Sequence, residues 1–201
     1  MRSSLARIGA EAHTRTGAHR QRVDRALRVL AELQGVWVVA WSGGKDSGVC
    51  VDLAGRAWRQ GHVLVSDNGT DSAEIARLVE VMSRRHPQLC FHVRRSLEIE
   101  QDDRTSVRSF LHSVGAAGQV LGLRARESGY RTFIARAVVR DGIYMSAASW
   151  GGLPIVCPII HWSLQDVAAY TLSRGLPYHA VYRDGWAARS PHRVNQHGRL
   201  L

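Results

Sequence analysis

Lysine is nearly absent from this chain: its 27 basic residues are 26 arginines and one lysine, Lys45. Cysteine is scarce as well. Cys50, Cys90 and Cys157 are odd in number and widely spaced in apolar surroundings. That suits buried free thiols in a reducing compartment and excludes a disulfide framework. Three cysteines fall short of the roughly four that ligate an iron–sulfur cluster. The ten histidines show no metal-ligand spacing, so neither a cluster nor a zinc site is expected. Long apolar runs are also missing. The longest uncharged stretch, between Asp141 and Asp166, is interrupted by Gly151, Gly152, Pro154 and Pro158, whereas a bilayer helix needs about 20 mostly apolar residues. The opening MRSSLARIGAEAHTR has no apolar centre of the kind a signal peptide carries. These absences point to a soluble cytoplasmic protein with no membrane contact.

What is present is the composition of one globular domain: 201 residues, 45% hydrophobic and 22% charged. Acids number 17, so the formal net charge is +10. A polyanion suits that balance, whether nucleotide or nucleic acid, but net charge does not choose between them. Arginine bias alone would also produce it. The same bias singles out Lys45, because a compact ammonium in a tight anion site is not readily exchanged for a guanidinium.

Periodicity divides the chain into a flexible basic N-terminus (residues 1–20), one domain (21–185) and a basic tail (186–201). Val23, Leu27, Leu30 and Leu33 make an apolar helical stripe over 22–33. Val36 to Trp41 (VWVVAW) reads as a strand buried on both faces. A helix follows with Cys50, Leu53, Ala54, Ala57 and Trp58 on one side. A strand over 62–66, a helix over 72–85 and a strand over 89–93 repeat the unit. Then come a polar stretch over 96–106, a short helix over 107–114 and a strand over 120–123. Residues 143–160 read as a hairpin, and Ser163 caps a helix running to Arg174. The expected fold is α/β: a doubly wound parallel sheet of about five strands, helices on both faces, and a small C-terminal hairpin–helix segment. Ligands in such sheets sit at the carboxyl ends of the strands. The polar, glycine-rich segments 42–47, 67–74 and 122–131 all fall there.

Ser42-Gly43-Gly44-Lys45-Asp46-Ser47 stands between a buried strand and a helix N-terminus, where free N–H groups and the helix dipole attract an anion. The glycines allow close backbone approach, Ser42 and Ser47 add hydroxyl donors, and Lys45 adds a point charge. Asp46 is suited to hold a magnesium ion bridging phosphates. The spacing is neither that of the Walker A loop nor that of the dinucleotide fingerprint. Lys45 and Asp46 are therefore the candidate catalytic residues.

This segment resembles the PP-loop of the ATP-pyrophosphatases, the adenine nucleotide alpha hydrolases. Asp67-Asn68-Gly69 with Glu74, and Gly122-Leu123-Arg124 with Ser128 and Arg131, narrow the resemblance to the phosphoadenosine phosphosulfate (PAPS) reductase family. Pro158-Ile159, Trp162-Ser163, Asp166-Val167, Leu176-Pro177-Tyr178 and Tyr182 extend it to about residue 185. The resemblance implies an adenine-nucleotide site. Ser42 to Ser47 would hold phosphate or sulfate oxygens, Asp67 and Gly69 would lie near the adenosine, and Arg124, Ser128 and Arg131 would complete the phosphate contacts. Three departures stand out. Asn68 replaces the family's threonine, and no cysteine follows Cys157, although sulfonucleotide reductases attack sulfur with a thiolate near the C-terminus. His161 stands where the family usually has an acid. The leading expectation is cleavage of ATP, with Mg2+, to AMP and pyrophosphate to adenylate an acceptor. The alternatives are a PAPS-binding reductase-like protein using an external thiol, and a member that modifies tRNA or DNA. A homodimer is compatible with all three.

Overall fold

A computed structural model describes residues 9–67, 69–95, 103–127, 139–140, 143–146 and 153–182. Among these residues seven strands form one sheet: β1 (Val36–Trp41), β2 (Gly61–Asp67), β3 (Leu89–Arg95), β4 (Ala116–Leu121), β5 (Val139–Arg140), β6 (Ile143–Ser146) and β7 (Ile155–Cys157). Their order is β3-β2-β1-β4-β7-β6-β5. The first five in that order run parallel. Of the remaining two, β6 pairs antiparallel with β7, in keeping with the turn-back expected over 143–160, and β5 pairs antiparallel with β6 at the edge.

The chain builds outward from β1 to β2 and β3, then crosses to place β4 on the other side of β1. The carboxyl ends of β1 and β4 therefore flank the point where the strand order reverses, which is where open α/β sheets bind ligands. Period-two alternation sends the side chains of β1 both ways. Trp37, Val39 and Trp41 enter the main core with Val63 and Val65 of β2. Val38 and Leu64 point to the opposite face, against Phe110 and Leu111. The main core is closed by helices α1 (Gly17–Glu32), α2 (Lys45–Ala57), α3 (Ser72–Arg85) and α5 (Leu164–Arg174), and the opposite face by α4 (Asp103–Ser113). Among the described residues no helix is long and apolar enough to cross a membrane.

A buried carboxylate pins three of these helices together. Asp52 on α2 is fully enclosed and accepts bonds from His86 Nε2 (3.0 Å), Arg85 Nε (3.0 Å), Tyr170 Oη (2.7 Å) and Arg174 Nε (3.1 Å). Burial alone would raise its pKa, but the bonds from His86, Arg174 and Tyr170 outweigh burial and hold the carboxyl well below the usual range. Ser163 and Asp166 form a reciprocal capping box at the start of α5, and Gly175 closes that helix in the left-handed conformation.

Several expectations need correction. Helix α1 starts at Gly17, capped by Thr16, and Ala10 and His19 are buried, so the described part of 1–20 is packed structure. Helix α4 starts at Asp103 within the stretch expected to be irregular, and β4 covers Ala116–Leu121 where 120–123 was expected. Ala116, Ala117 and Gly118 are poor strand formers, but pairing with β1 overrides propensity. Cys50 and Cys157 are buried thiols as expected, whereas Cys90 is exposed on the edge strand β3.

Candidate functional site

The site begins where β1 stops. Gly43 turns the chain with φ of +69°, Gly44 occupies the N-cap position of α2 without a side-chain cap, and Lys45 opens the helix. Gly44 itself therefore offers the first turn of α2 no side-chain acceptor of the usual capping kind. Ser47 Oγ donates to Gly44 O (3.2 Å) and lies 3.4 Å from Ser42 Oγ, so the two serine hydroxyls face each other across the loop.

The strand beside β1 brings the second loop. After β4 the chain passes Gly122, where an added Cβ would lie 2.5 Å from both Cα and N of Ser47. Only glycine allows that approach, and the approach carries Arg124 to Asp46. Arg124 is buried, with its Nε hydrogen-bonded to Asp46 Oδ1 and its Nη2 3.3 Å from Glu127 Oε1. Asp46 Oδ2 lies 3.1 Å from Lys45 Nζ. A carboxylate is therefore held between two buried cations at a helix N-terminus.

A third segment closes over Lys45. Its ammonium lies 4.7 Å from the centre of the Tyr182 ring, within cation–π range. Burial pushes the Tyr182 phenol up to about 12; Asp46 adds to the rise, and a backbone bond from Lys45 opposes it. Tyr182 ends a short 3-10 turn, Ala180–Tyr182, that is tied to α3. Glu74 accepts from Ala180 N (3.1 Å) and from Arg77 through two bonds of 2.7 Å, while Arg77 also reaches Tyr178 O (3.3 Å). His179 accepts from Val181 N at Nδ1, which leaves its proton on Nε2, 3.1 Å from Asp71 Oδ2. At the end of β2, buried Asp67 accepts from Gly69 N (2.9 Å), and Arg95 Nε lies 3.9 Å from its other oxygen.

The structure brings Ser42, Gly43, Gly44, Lys45, Asp46, Ser47 and Arg124 into one cluster, and sets Asp67 and Gly69 at the end of the adjacent strand β2. Asn68, Ser128 and Arg131 lie outside the described residues. Tyr182 was marked in the sequence only through family resemblance, and nothing in its local pattern announces the contact with Lys45. Arg124 could have been a surface arginine among 26; Gly122, two residues earlier, is the signal that its loop approaches another backbone.

The sequence profile of the phosphoadenosine phosphosulfate reductase domain matches residues 36–188. This chain belongs to that family. Relatives include an adenosine 5'-phosphosulfate reductase of Geobacillus sp. (strain WCH70), 24% identical over 169 residues, which span 74% of this chain and 68% of the relative. Another, from Oceanobacillus iheyensis, is 23% identical over 183 residues, covering 81% and 73%. Among solved structures, a mutant of the FMN adenylyltransferase of Candida glabrata superposes with a TM-score of 0.64 at 15% identity, covering 90% of this chain and 67% of that one. The NMN synthetase of Francisella tularensis gives 0.51 at 13% identity, covering 79% and 71%. These structural likenesses show a shared fold.

Two of the three thiols of this PAPS reductase family chain are enclosed. Cys50 lies one helical turn from Asp46 but is fully enclosed; burial, with Cys157 and Asp46 nearby, pushes its thiol well up. Cys157 is equally enclosed. Neither is a ready thiolate.

Proposed function

We propose that this protein binds ATP with its phosphates in the Ser42–Ser47 cradle and cleaves the bond between the α- and β-phosphates. AMP passes to the nucleophile of an acceptor, and pyrophosphate leaves. The observation that carries this reading is Asp46, a carboxylate lodged between Lys45 and Arg124 at the point where the anion would sit. Asp46 competes with a bare phosphate or sulfate for these two cations. It suits a site whose ligand arrives with a divalent cation, since Mg2+ is held by one or two carboxylates together with substrate phosphates and waters. The donor set fits: Asp46 supplies the carboxylate, and the serine hydroxyls of 42 and 47 stand beside it. The cation would neutralise charge developing on the leaving pyrophosphate.

The chain's own groups account for the rest. Amide N–H groups at the start of α2 and the Lys45 ammonium would pair with the leaving pyrophosphate as its charge develops. Arg124 would exchange Asp46 for a phosphate, where its planar fork makes two bonds. Ser128 and Arg131 would add further phosphate contacts, and Asp67 and Gly69 would face the adenosine. The acceptor supplies the nucleophile, so the enclosed Cys50 and Cys157 take no part. The net charge of +10 favours a polyanionic acceptor such as nucleic acid.

A second reading, favoured by the names of the relatives, is a sulfonucleotide substrate attacked by a thiol from a partner. Calorimetric titration separates the two. Binding of α,β-methylene ATP that requires Mg2+ and is lost in Lys45→Ala supports adenylation. Metal-independent preference for adenosine 3',5'-bisphosphate supports the sulfonucleotide reading. Binding of neither would overturn both.

A further inference from the structure

Two imidazoles from the start of the chain meet one carboxylate from near its other end. His13 Nε2 lies 2.9 Å from Asp166 Oδ1, and His19 Nδ1 lies 3.1 Å from the same oxygen. The three atoms fall within 4.8 Å of one another. His19 and Asp166 are 3% and 1% exposed, and His13 is 17% exposed. The histidines are six residues apart on either side of the Thr16 cap, and Asp166 is 147 residues beyond His19. No local spacing could reveal the cluster, which is why the ten histidines carry no metal signature in the sequence.

The carboxylate is also aimed. Asp166 Oδ2 is fixed by Ser163 N (2.8 Å) and Ser163 Oγ (2.7 Å), leaving Oδ1 turned toward the two rings. Hydrogen bonds that fix a ligand's orientation in this way are the usual support of a metal site. Trp162 flanks the His19 ring, with centroids 5.7 Å apart, and forms an apolar wall. An ionised carboxylate only accepts hydrogen bonds, so both ring atoms facing it carry protons when no metal is bound. A tetrahedral zinc ion with bonds of 2.0–2.1 Å sets its ligands about 3.3 Å apart, a few tenths of an ångström wider than the two N···O distances, and the two ring nitrogens lie within 4.8 Å of each other.

We propose that His13 Nε2, His19 Nδ1 and Asp166 Oδ1 form a divalent transition-metal site of the zinc class, with water completing the coordination and the half-open side at His13 as its entrance. Two imidazoles with one carboxylate suit zinc and its neighbours, whereas magnesium and calcium prefer oxygen donors. Binding shifts each ring's proton to its other nitrogen, so both imidazoles ligate in the neutral form. The bound ion then fastens the N-terminal helical segment to α5. Arg22 is the built-in competitor: its Nη1 lies 3.2 Å from Asp166 Oδ1, and at 40% exposure its side chain can turn to solvent. This site shares no residue with the nucleotide cradle and does not depend on the function proposed for it.

The test uses the full chain, free of any histidine tag and stripped with chelator, titrated with Zn2+ alone. One ion per chain is expected, with a raised melting temperature and a visible absorption band of tetrahedral type when Co2+ replaces Zn2+. His13→Ala, at a partly exposed position, should weaken binding more than about tenfold. Arg22→Gln should tighten it severalfold by removing the competing cation. Absence of one-to-one binding, undiminished binding in His13→Ala, or binding no tighter in Arg22→Gln would overturn the proposal.

Discussion

Arg124 donates from its Nε to Asp46 Oδ1 across 78 residues of chain, and Lys45 Nζ lies 3.1 Å from the other carboxylate oxygen. The resting site therefore carries its own anion. A nucleotide must offer these two cations a better partner than Asp46, and must give Asp46 something in return. Asp46→Asn separates the parts of that exchange. Two buried cations then face a neutral amide, so the ligand-free protein should lose about 3 kcal/mol of stability by denaturant unfolding. Metal-free phosphate or adenosine bisphosphate should bind more tightly than in the wild type, because the competing carboxylate is gone. Mg2+-dependent binding of an ATP analogue should weaken. Calorimetry that shows all three ligands weakened alike would remove Asp46 from the role given to it.

Gly122→Ala tests the packing that carries Arg124 into place. The new Cβ would meet backbone atoms of Ser47 at 2.5 Å, and backbone at both sides leaves no flexible side chain to yield. Overpacking of this kind costs about 1–3 kcal/mol. Because the strain falls between the two loops of the site, nucleotide affinity should drop along with the melting temperature. A variant of wild-type stability and affinity would mean the two loops do not make this close approach.

Asp52 offers a test of stability against pH. Its pKa is lower in the folded protein than in the unfolded chain, so the native state binds fewer protons there. Its contribution is present above the ordinary aspartate pKa of about 3.9 and is lost as pH falls toward the folded value. Asp52→Asn should destabilise the protein at neutral pH by about 3–5 kcal/mol, since His86, Arg85 and Arg174 lose their shared anion. It should also flatten the decline in stability below about pH 4. Unfolding midpoints across an acid series compare the slopes directly.

How much of this was legible depends on the range of the interaction. The span Ser72–Arg85 emerged from apolar spacing alone, because Ile75, Leu78 and Met82 all face the core. Val36–Trp41 was equally plain, since a central parallel strand is apolar on both faces. The cradle followed from that strand, two glycines and a surviving lysine. The first half of β4 was hidden because small residues take their conformation from a neighbouring strand. Apart from Gly122 ahead of Arg124, contacts between distant segments left no local trace: Asp46 with Arg124, Lys45 with Tyr182, and Asp166 with His13 and His19 each depend on how the fold brings segments together.

Tyr182 closes the site from the side of the C-terminal segment, and its ring and hydroxyl can be tested apart. The ring lies against the Lys45 ammonium, and the hydroxyl takes the backbone bond from Lys45. Tyr182→Phe keeps the ring and loses one hydrogen bond, worth about 1 kcal/mol. Tyr182→Leu loses the cation–π contact as well, which adds about 1–2 kcal/mol for a desolvated pair. If the ring positions the ammonium for phosphate, nucleotide affinity should fall modestly in the phenylalanine variant and by more than about tenfold in the leucine variant. The phenol, raised to about 12, stays neutral at any working pH. Wild type and Tyr182→Phe should therefore bind with parallel pH profiles between about pH 7 and about pH 10. Profiles that diverge within that range would mean Tyr182 titrates in the site, and equal affinities in all three proteins would mean Lys45 needs no help from the ring.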